Sequence, residues 1–376
     1  MEQHAASRNG SSIRLFLCGD VMTGRGVDQI MPHPCAPILH EPYLQSALDY
    51  VALAESAHGP IPRRAEPSYI WGAALDEFDR FRPDARIINL ETSITRSDKY
   101  VAKGINYRMS PENADCLSAA SIDCCVLANN HVLDWGRQGL LDTLATLKRL
   151  AIQSAGAGTD LGEAQAPAVL VLAGKPRVLV FAFACPTSGV PFSWAAGPKA
   201  AGVSFLPELS PANATHIGEQ VEKVRRPGDV IVVSLHWGPN WGHDIGVQRD
   251  FAHALIDNAG VSVIHGHSAH HAKAIEIYRD RLILYGCGDF LNDYEGVQGY
   301  ERYRSDLALM YFVDLTADGS LDAVQMTALQ IRQFRLARAA PEDVEWLQRA
   351  LDRESHTFET RVAMTANGGL AVNWRR

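Results

Sequence analysis

No two cysteines in this 376-residue sequence have the C-x-x-C spacing, although the chain contains seven cysteines. Their number is odd, and most of them lie within apolar runs, as small buried hydrophobic residues do. The pattern argues against a disulfide framework and against a thiolate metal site. Reduced structural thiols are typical of a reducing compartment, so the cysteines favour a location inside the cell.

The sequence also lacks an excess of basic residues and any long hydrophobic run. Its net charge is −8, whereas a nucleic-acid-binding protein would carry a basic face. No apolar run approaches the roughly 20 residues that a membrane helix needs, and residues 1–12 contain no apolar core of a signal peptide. We therefore expect a cytoplasmic protein with no membrane anchor and no nucleic-acid partner.

The order of apolar runs along the chain predicts an α/β fold. Strands that alternate with helices are typical of parallel βαβ units, and Arg279-Asp280-Arg281 predicts a hairpin in an added antiparallel part. We expect a disordered tail over 1–12, one domain over 13–330, and a C-terminal helix and tail over 331–376 packed on that domain. Helices are predicted over 37–57, 136–150, 211–226, 248–259 and 341–353.

Polar residues stand at the ends of five predicted strands. In open α/β sheets, functional sites form in the crevice beyond the carboxyl ends of the strands. Carboxylate, amide oxygen and imidazole suit a divalent metal ion such as Mn, Fe, Zn or Mg, and two ions about 3.5–4 Å apart can activate a water molecule. The sequence therefore predicts a centre with one or two divalent ions. The strand-end residues are Asp20, Glu91, Asn130 with His131, His236, and His267 with His270.

Each of these residues taken alone has a simpler interpretation. His236 fits a buried core histidine, and Asn130 fits the cap of the following helix. Asp289 and the pair Asn292-Asp293 follow a later strand near the same rim, where either a surface role or a supporting contact with the ligands fits them. The common strand-end pattern is what favours the metal centre over these separate explanations.

The motifs around these residues resemble the CapA/PgsA family of capsule and poly-γ-glutamate synthesis proteins, within the calcineurin-like metallophosphoesterase superfamily. The resemblance spans about residues 13–295 and implies a four-layer α/β/β/α sandwich. The motifs that carry it are Gly19-Asp20-Val21-Met22-Thr23-Gly24-Arg25, Asn89-Leu90-Glu91, Ala128-Asn129-Asn130-His131-Val132-Leu133-Asp134-Trp135-Gly136, His236-Trp237-Gly238, Gly266-His267-Ser268-Ala269-His270 and Tyr285-Gly286-Cys287-Gly288-Asp289-Phe290.

The resemblance also implies a role for each site residue. Asp20 and His270 would bind a first metal, and Glu91 would bridge it to a second. His131 would protonate or stabilise the leaving group, with Asp134 orienting its ring. Arg25 would hold an anionic substrate group, because its planar guanidinium suits phosphate or carboxylate. The remaining ligands of the second metal would be Asn130, His236 and His267.

The sequence departs from the superfamily at three positions. Met22 stands where the first motif has a histidine, Glu91 replaces an aspartate, and Asn129 replaces a glycine. Since Met22 removes one expected ligand, the sequence leaves open whether one metal or two bind.

Three functions remain compatible with the sequence. The first is metal-dependent phosphoester hydrolysis linked to capsule or poly-γ-glutamate metabolism, with an anionic small molecule or polymer fragment as substrate. The second is hydrolysis or transfer of γ-glutamyl amide or ester bonds on the same scaffold. The third is a non-catalytic binding component of a polymer-synthesis complex with a degenerate metal site. The oligomeric state is left open.

Overall fold

A computed structural model describes residues 12–375. The α-helices are α1 (Gly26–Ile30), α2 (Ala47–His58), α3 (Ala74–Phe81), α4 (Asp115–Ala119), α5 (Gly136–Arg149), α6 (Leu161–Gln165), α7 (Pro211–Glu222), α8 (Gly246–Ala259) and α9 (Pro341–Ser355). The strands are β1 (Ile13–Val21), β2 (Ala85–Leu90), β3 (Ser93–Ile94), β4 (Arg108–Met109), β5 (Cys124–Val126), β6 (Gln153–Ala155), β7 (Ala157–Gly158), β8 (Ala168–Leu170), β9 (Val178–Ala184), β10 (Gly202–Val203), β11 (Val230–His236), β12 (Val263–His267), β13 (Ile275–Tyr278), β14 (Arg281–Leu284), β15 (Asp289–Leu291), β16 (Leu307–Leu315), β17 (Leu321–Arg332), β18 (Arg335–Arg338), β19 (Thr360–Met364) and β20 (Leu370–Trp374).

Two sheets dominate the molecule. The larger has the strand order β19-β20-β17-β16-β1-β2-β5-β6, with β15 also paired to β1 and β18 to β17. Strands β1, β2, β5 and β6 run parallel, whereas β16, β17, β19 and β20 pair in antiparallel fashion. The smaller sheet has the order β13-β14-β12-β11-β9-β8. The predicted parallel units and the later antiparallel part are both confirmed, including the β13–β14 hairpin.

Alternating side chains of β11 show how the layers stack. Val230 and Val232 belong to the core that the two sheets share, whereas Ile231 and Val233 pack with α7 and α8 on the outer face, as the two-residue period of a strand requires. Phe16 of β1 meets Phe78 of α3 with ring centroids 4.7 Å apart, so helices also cover the larger sheet. The chain therefore has the expected four-layer α/β/β/α architecture.

The carboxyl ends of the parallel strands of both sheets meet at one edge. Asp20 on β1 is paired in register with Asn89 on β2, and His236 on β11 with His267 on β12. His265 on β12 contacts the carbonyl oxygen of Cys18 on β1 through Nε2 at 2.6 Å, which joins the two sheets beneath this edge. The strand-end residues are thus brought to one place, as the sequence predicts.

Two segments differ from the sequence-based expectation. The helix expected over 37–57 begins only at Ala47, because Ser46 and Asp49 form a capping box that fixes its start. The expected tail after α9 instead forms the hairpin β19–β20, which adds to the larger sheet beside β17. The division into domains stays a prediction, and the predicted N-terminal tail lies outside the described residues except for Ser12. Among residues 12–375, no helix is both long and apolar enough to cross a membrane.

Candidate metal centre

Three buried carboxyl groups converge at the edge where the strands end. Asp20, Glu91 and Asp289 are each at most 1% exposed. The side-chain amide of Asn89 donates to Asp20 Oδ1 at 2.7 Å and to Glu91 Oε2 at 3.1 Å. The second oxygen, Asp20 Oδ2, is buried and accepts no hydrogen bond from residues 12–375. An unpartnered carboxylate oxygen in the interior is costly unless a cation compensates it.

The pKa values of Asp20 and Glu91 are both raised, so each favours its protonated form more than a free carboxyl group does. Burial, followed by the charge of Asp289, raises the pKa of Asp20. Burial, followed by the charge of Asp20, raises the pKa of Glu91. Like charges in a desolvated site disfavour ionisation of one another, and a bound divalent cation would reverse that effect.

Two histidines and an amide oxygen face one another beside the carboxyl groups. His236 Nδ1 lies 2.7 Å from His267 Nδ1, and His236 Nε2 lies 3.0 Å from Asn130 Oδ1. Burial is the main reason that the pKa of each histidine is lowered well below its ordinary value. Both imidazoles are therefore neutral, which is the form that binds metals.

A hydrogen-bond relay fixes which nitrogen of His267 carries the proton. His265 Nε2 donates to Cys18 O, and burial lowers the pKa of His265 to about 4, so its Nδ1 is unprotonated. Ser234 Oγ lies 3.1 Å from that Nδ1 and 2.7 Å from His267 Nε2. Because a hydroxyl has one proton to donate, Ser234 donates to His265 and accepts from His267. His267 Nδ1 therefore presents a lone pair.

With this proton arrangement, the contacts of His236 with His267 Nδ1 and Asn130 Oδ1 need two protons, but a neutral His236 supplies only one. A neutral His236 can donate either to His267 Nδ1 or to Asn130 Oδ1, and two acceptors then face each other in the remaining contact. The side-chain oxygen of Asn130 faces His236. A cation between these groups removes the conflict, so the donor set fits a divalent metal ion.

Sets of potential ligand atoms within 4.8 Å of one another occur twice here and share one residue. Asp20, His236 and His267 form one set, which we call the His267 triad. Asp20, His270 and Asp289 form the other, the Asp289 triad. The Asp289 triad contains Asp20 and His270, which the sequence predicts for the first metal, and the His267 triad contains His236 and His267, predicted for the second. The sequence placed Asp20 at the first metal alone, whereas the structure brings it close to both sets. The bridging role of Glu91 stays a prediction.

His131 borders the same site and is held by its neighbours. Its Nδ1 lies 2.6 Å from Asp134 Oδ2, and the backbone N–H of Tyr107 donates to the same carboxylate oxygen at 2.6 Å. The opposite nitrogen, Nε2, lies 3.7 Å from Glu91 Oε1. Burial lowers the pKa of His131 to about 4, although Asp134 opposes this. The contact with Asp134 places the ring proton on Nδ1 and leaves Nε2 directed at the metal centre.

Lys103 is a cation at this position that sequence reasoning did not identify. Its Nζ lies 2.7 Å from Asp134 Oδ1 and also contacts the backbone oxygen of Asn130. Its side chain is 23% exposed, and its Nζ lies 5.2 Å from the ring centre of Trp194. Lys103 is thus the positive group at the rim that an anionic ligand could reach.

Arg25 is held by ion pairs and hydrogen bonds with its own neighbours. Its guanidinium pairs with Asp293 through two nitrogens, at 3.1 and 2.5 Å, and with Glu41 at 2.8 Å. Its guanidinium carbon also lies 3.9 Å from the ring centre of Tyr50. Its contact with substrate stays a prediction, and such a contact would compete with the buried ion pairs to Glu41 and Asp293. The geometry instead favours a role in holding α1 and the segment after β15 together.

Aromatic side chains border the centre on the side of His270. The rings of Trp241 and Tyr300 stack with centroids 4.1 Å apart, and Trp241 lies 5.4 Å from the ring of His270. Tyr300 remains half-exposed. This stack joins the loops after β11 and β15 and offers a flat, accessible surface next to His270.

The sequence-predicted ligands are therefore brought together, whereas several contributing residues were missed. Most of the missed residues are far in sequence from the residues they contact, so the sequence gives no sign of those contacts. Asn89 had the clearest signal, because it lies two residues before Glu91 and faces the same side of its strand. The missed residues are Asn89, Lys103, Ser234 and the full contribution of Asp289.

Comparison with known proteins assigns the chain to a family. A protein of Mycobacterium tuberculosis (strain ATCC 25618 / H37Rv), described as "Probable polyglutamine synthesis accessory protein", is 44% identical over 368 residues, which cover 97% of each chain. The PGA biosynthesis protein CapA of Bacillus subtilis (strain 168) is 27% identical over 62% of this chain and 59% of that protein. The solved structure of a 5′-nucleotidase precursor from Thermus thermophilus is 16% identical with a TM-score of 0.46, covering 85% of this chain and 54% of that one. Residues 14–294 match the family described as "Bacterial capsule synthesis protein PGA_cap", and the chain belongs to that family.

Proposed function

We propose that this protein is a metal-dependent hydrolase that cleaves phosphoester bonds in capsule or poly-γ-glutamate type metabolism. The observation that carries the proposal is the pair of triads that share Asp20, with its buried and unpartnered Oδ2. Three buried carboxyl groups and three histidines around an oxygen that accepts no hydrogen bond from residues 12–375 are costly for stability alone. The names of the relatives support the link to capsule polymers.

The residues that would hold the metal ions are those whose potential ligand atoms lie close together at the strand ends. Asp20, His236, His267 and Asn130 would hold one ion, and Asp20 with His270 would hold the other, with Glu91 between them. Bound divalent ions would activate a water molecule and neutralise charge on the substrate. The protein's contribution is to fix these ligands in a buried site before substrate arrives.

His131 is positioned to exchange a proton with the substrate. Because Asp134 and Tyr107 hold the Nδ1–H side of the ring, proton exchange is confined to Nε2, on the metal side. Nε2 carries no proton in the neutral ring, so His131 would first take one up there from solvent and then give it to the leaving oxygen, while Asp134 would keep the ring in the correct tautomer. Lys103, paired with Asp134, would attract the anionic substrate to this side of the site.

The test combines metal content with hydrolysis. We expect the purified protein to bind Mn²⁺ and to cleave p-nitrophenyl phosphate or bis-p-nitrophenyl phosphate. His267→Ala should lose metal, and His131→Gln should keep metal but lose turnover. His216→Gln is the matched control, because this histidine is 56% exposed on α7, away from the site. Unchanged metal content in both Glu91→Ala and His267→Ala would contradict the assignment of the site.

Hydrolysis of γ-glutamyl bonds is the second candidate. The names of the relatives, which refer to polyglutamine and PGA synthesis, favour it, and Lys103 would suit a glutamate carboxylate as well as a phosphate. Cleavage of γ-glutamyl-p-nitroanilide without cleavage of phosphoesters would decide for this reaction. A protein that binds no metal and cleaves neither substrate would instead indicate a binding component.

A further inference from the structure

The side chain of Met22 provides no strong ligand at the position where the sequence departs from the metal-binding pattern. Met22 is fully buried, and its sulfur accepts a hydrogen bond from the hydroxyl of Tyr294 at 3.5 Å. A thioether is a soft donor and suits Cu(I) rather than the ions that prefer carboxylate and imidazole. Without another ligand, the site around His270 would therefore be incomplete.

Strand β15 brings a carboxylate to this place. It runs parallel to β1 with Asp289 in register with Asp20, and neighbouring residues in register project to the same side of a sheet. The backbone N–H of Asp20 donates to Gly288 O at 3.0 Å. This close approach depends on Gly19, since a Cβ there would lie 1.6 Å from Gly288 O.

The side chain of Asp289 is held as a metal ligand would be. Its Oδ2 accepts a hydrogen bond from Asn292 Nδ2 at 2.7 Å, and its Oδ1 lies 2.8 Å from His270 Nδ1. Metal-binding carboxylates are commonly oriented by such outer hydrogen bonds. Asp20 Oδ2 belongs to the same triad and accepts no hydrogen bond from residues 12–375, so a cation bound here would give this oxygen a partner.

We propose that Asp289 is a ligand of the first metal, in place of the histidine that Met22 replaces, so that the two-ion centre implied by the sequence would be complete despite Met22. This inference rests on the metal dependence of the proposed function, but not on the bond that is cleaved. It assigns to the segment Gly288-Asp289 a place in the metal centre itself. The alternative is that Asp289 only accepts a hydrogen bond from His270 and orients its ring.

The test counts metal ions without reference to activity. After removal of metal with EDTA, the protein is titrated with Mn²⁺, and bound metal is measured by calorimetry and elemental analysis. We expect two ions per chain and an electron paramagnetic resonance spectrum of a coupled pair, because two ions sharing Asp20 would lie about 3.5–4 Å apart. A single uncoupled ion at saturation would overturn this inference while leaving a one-metal hydrolase intact. A chain that binds no Mn²⁺ would overturn both proposals.

Asp289→Asn separates ligation from orientation. Asparagine keeps the size of the side chain and an oxygen that can accept from His270, but it removes the charge. If Asp289 is a ligand, Asp289→Asn should weaken binding of Mn²⁺ at the Asp289 triad by more than about 100-fold, which exceeds the usual effect of losing an outer hydrogen bond. The Mn²⁺ ion at the His267 triad should stay bound. Asn292→Ala should weaken binding at the Asp289 triad by about 10-fold.

The control for these variants is Asp250→Asn, which removes an exposed aspartate on α8 and should leave both ions bound. Thermal unfolding of the metal-free proteins checks that each variant is folded. Two ions bound with unchanged affinity by a folded Asp289→Asn protein would refute the ligand role. If that variant does not fold, Asn292→Ala, which only releases Asp289 Oδ2, decides instead: unchanged Mn²⁺ affinity in that protein would also refute the ligand role.

Discussion

Replacing Ser234 tests whether the histidine relay controls metal binding. Ser234 is fully buried, and its hydroxyl bridges His265 Nδ1 and His267 Nε2 at 3.1 and 2.7 Å. Ser234→Ala leaves one buried acceptor and one buried donor without partners. Each unsatisfied group costs about 1–3 kcal/mol, so the free energy of unfolding of the metal-free protein should fall by about 2–6 kcal/mol.

The same change should weaken metal binding, because His267 no longer has a fixed tautomer. Loss of an outer hydrogen bond to a ligand typically costs about 10–100-fold in metal affinity, and we expect a loss in that range for Mn²⁺, measured by calorimetry. The matched control is Ser262→Ala, a buried serine whose Oγ accepts a hydrogen bond from the backbone N–H of Ile231 at 3.4 Å. That variant should bind Mn²⁺ as the wild type does. Equal Mn²⁺ affinities in the wild type and Ser234→Ala would refute the relay.

Four further changes probe other parts of the structure. Gly19→Ala should lower the free energy of unfolding by about 3 kcal/mol or more, because its Cβ would meet Gly288 O at 1.6 Å; an unchanged urea midpoint would contradict the close approach. Lys103→Met should keep metal content but reduce hydrolysis up to about 100-fold, and Lys103→Arg should restore part of it; equal rates in Lys103→Met and the wild type would exclude a role in catalysis. Arg25→Met should cost about 3–5 kcal/mol, since it leaves two buried carboxylates unpaired, whereas a higher KM with unchanged stability would support the substrate role predicted from the sequence. Burial lowers the pKa of Lys273 to about 8 in the folded protein, so between pH 8 and 10.5 this lysine is protonated more fully in the unfolded chain than in the folded one. The free energy of unfolding of the wild type should therefore rise relative to that of Lys273→Met by up to about 3 kcal/mol across that range. Parallel curves of stability against pH for the two proteins would contradict this.

The alternation of apolar strands with helices was sufficient to predict an α/β fold, whereas the four-layer arrangement was implied by the resemblance to a known family. The run before His236 indicates a fully buried strand, and β11 is buried at every position. Helix starts were less predictable, since they depend on local capping such as that of Ser46 rather than on periodicity. The β19–β20 hairpin was missed because its pairing with β17 is a contact between distant parts of the chain.

For the candidate site, the strand-end pattern led to residues that do lie together. His236, His267 and Asp20 were predicted as ligands from position and residue type, and the structure gathers them within one triad. Their roles as ligands stay predictions. The pattern worked because the ends of parallel strands share an edge.

Other contributors could not be derived from the sequence. Lys103 comes from an irregular segment, and nothing in its neighbourhood indicates that it would meet Asp134. Asp289 was recognised only as a residue near the rim, because its register with Asp20 depends on which strand pairs with β1. Arginine commonly binds anionic substrate groups, which is why Arg25 was predicted to do so. Only the folded structure shows that the carboxylates of Glu41 and Asp293 already bind its guanidinium.

The pairing of β1 also has a consequence for the time at which the site can form during synthesis. Strand β1 leaves the ribosome first among the strands, yet two of its neighbours, β15 and β16, begin only at Asp289 and Leu307. Closing so long a loop is slow, and a strand that waits for its partner exposes an unpaired edge. Asp20 therefore reaches its final surroundings only after about three quarters of the chain has been translated. The metal centre is assembled late, and a nascent chain that stops before β15 would carry Asp20 without the carboxylate that stands beside it.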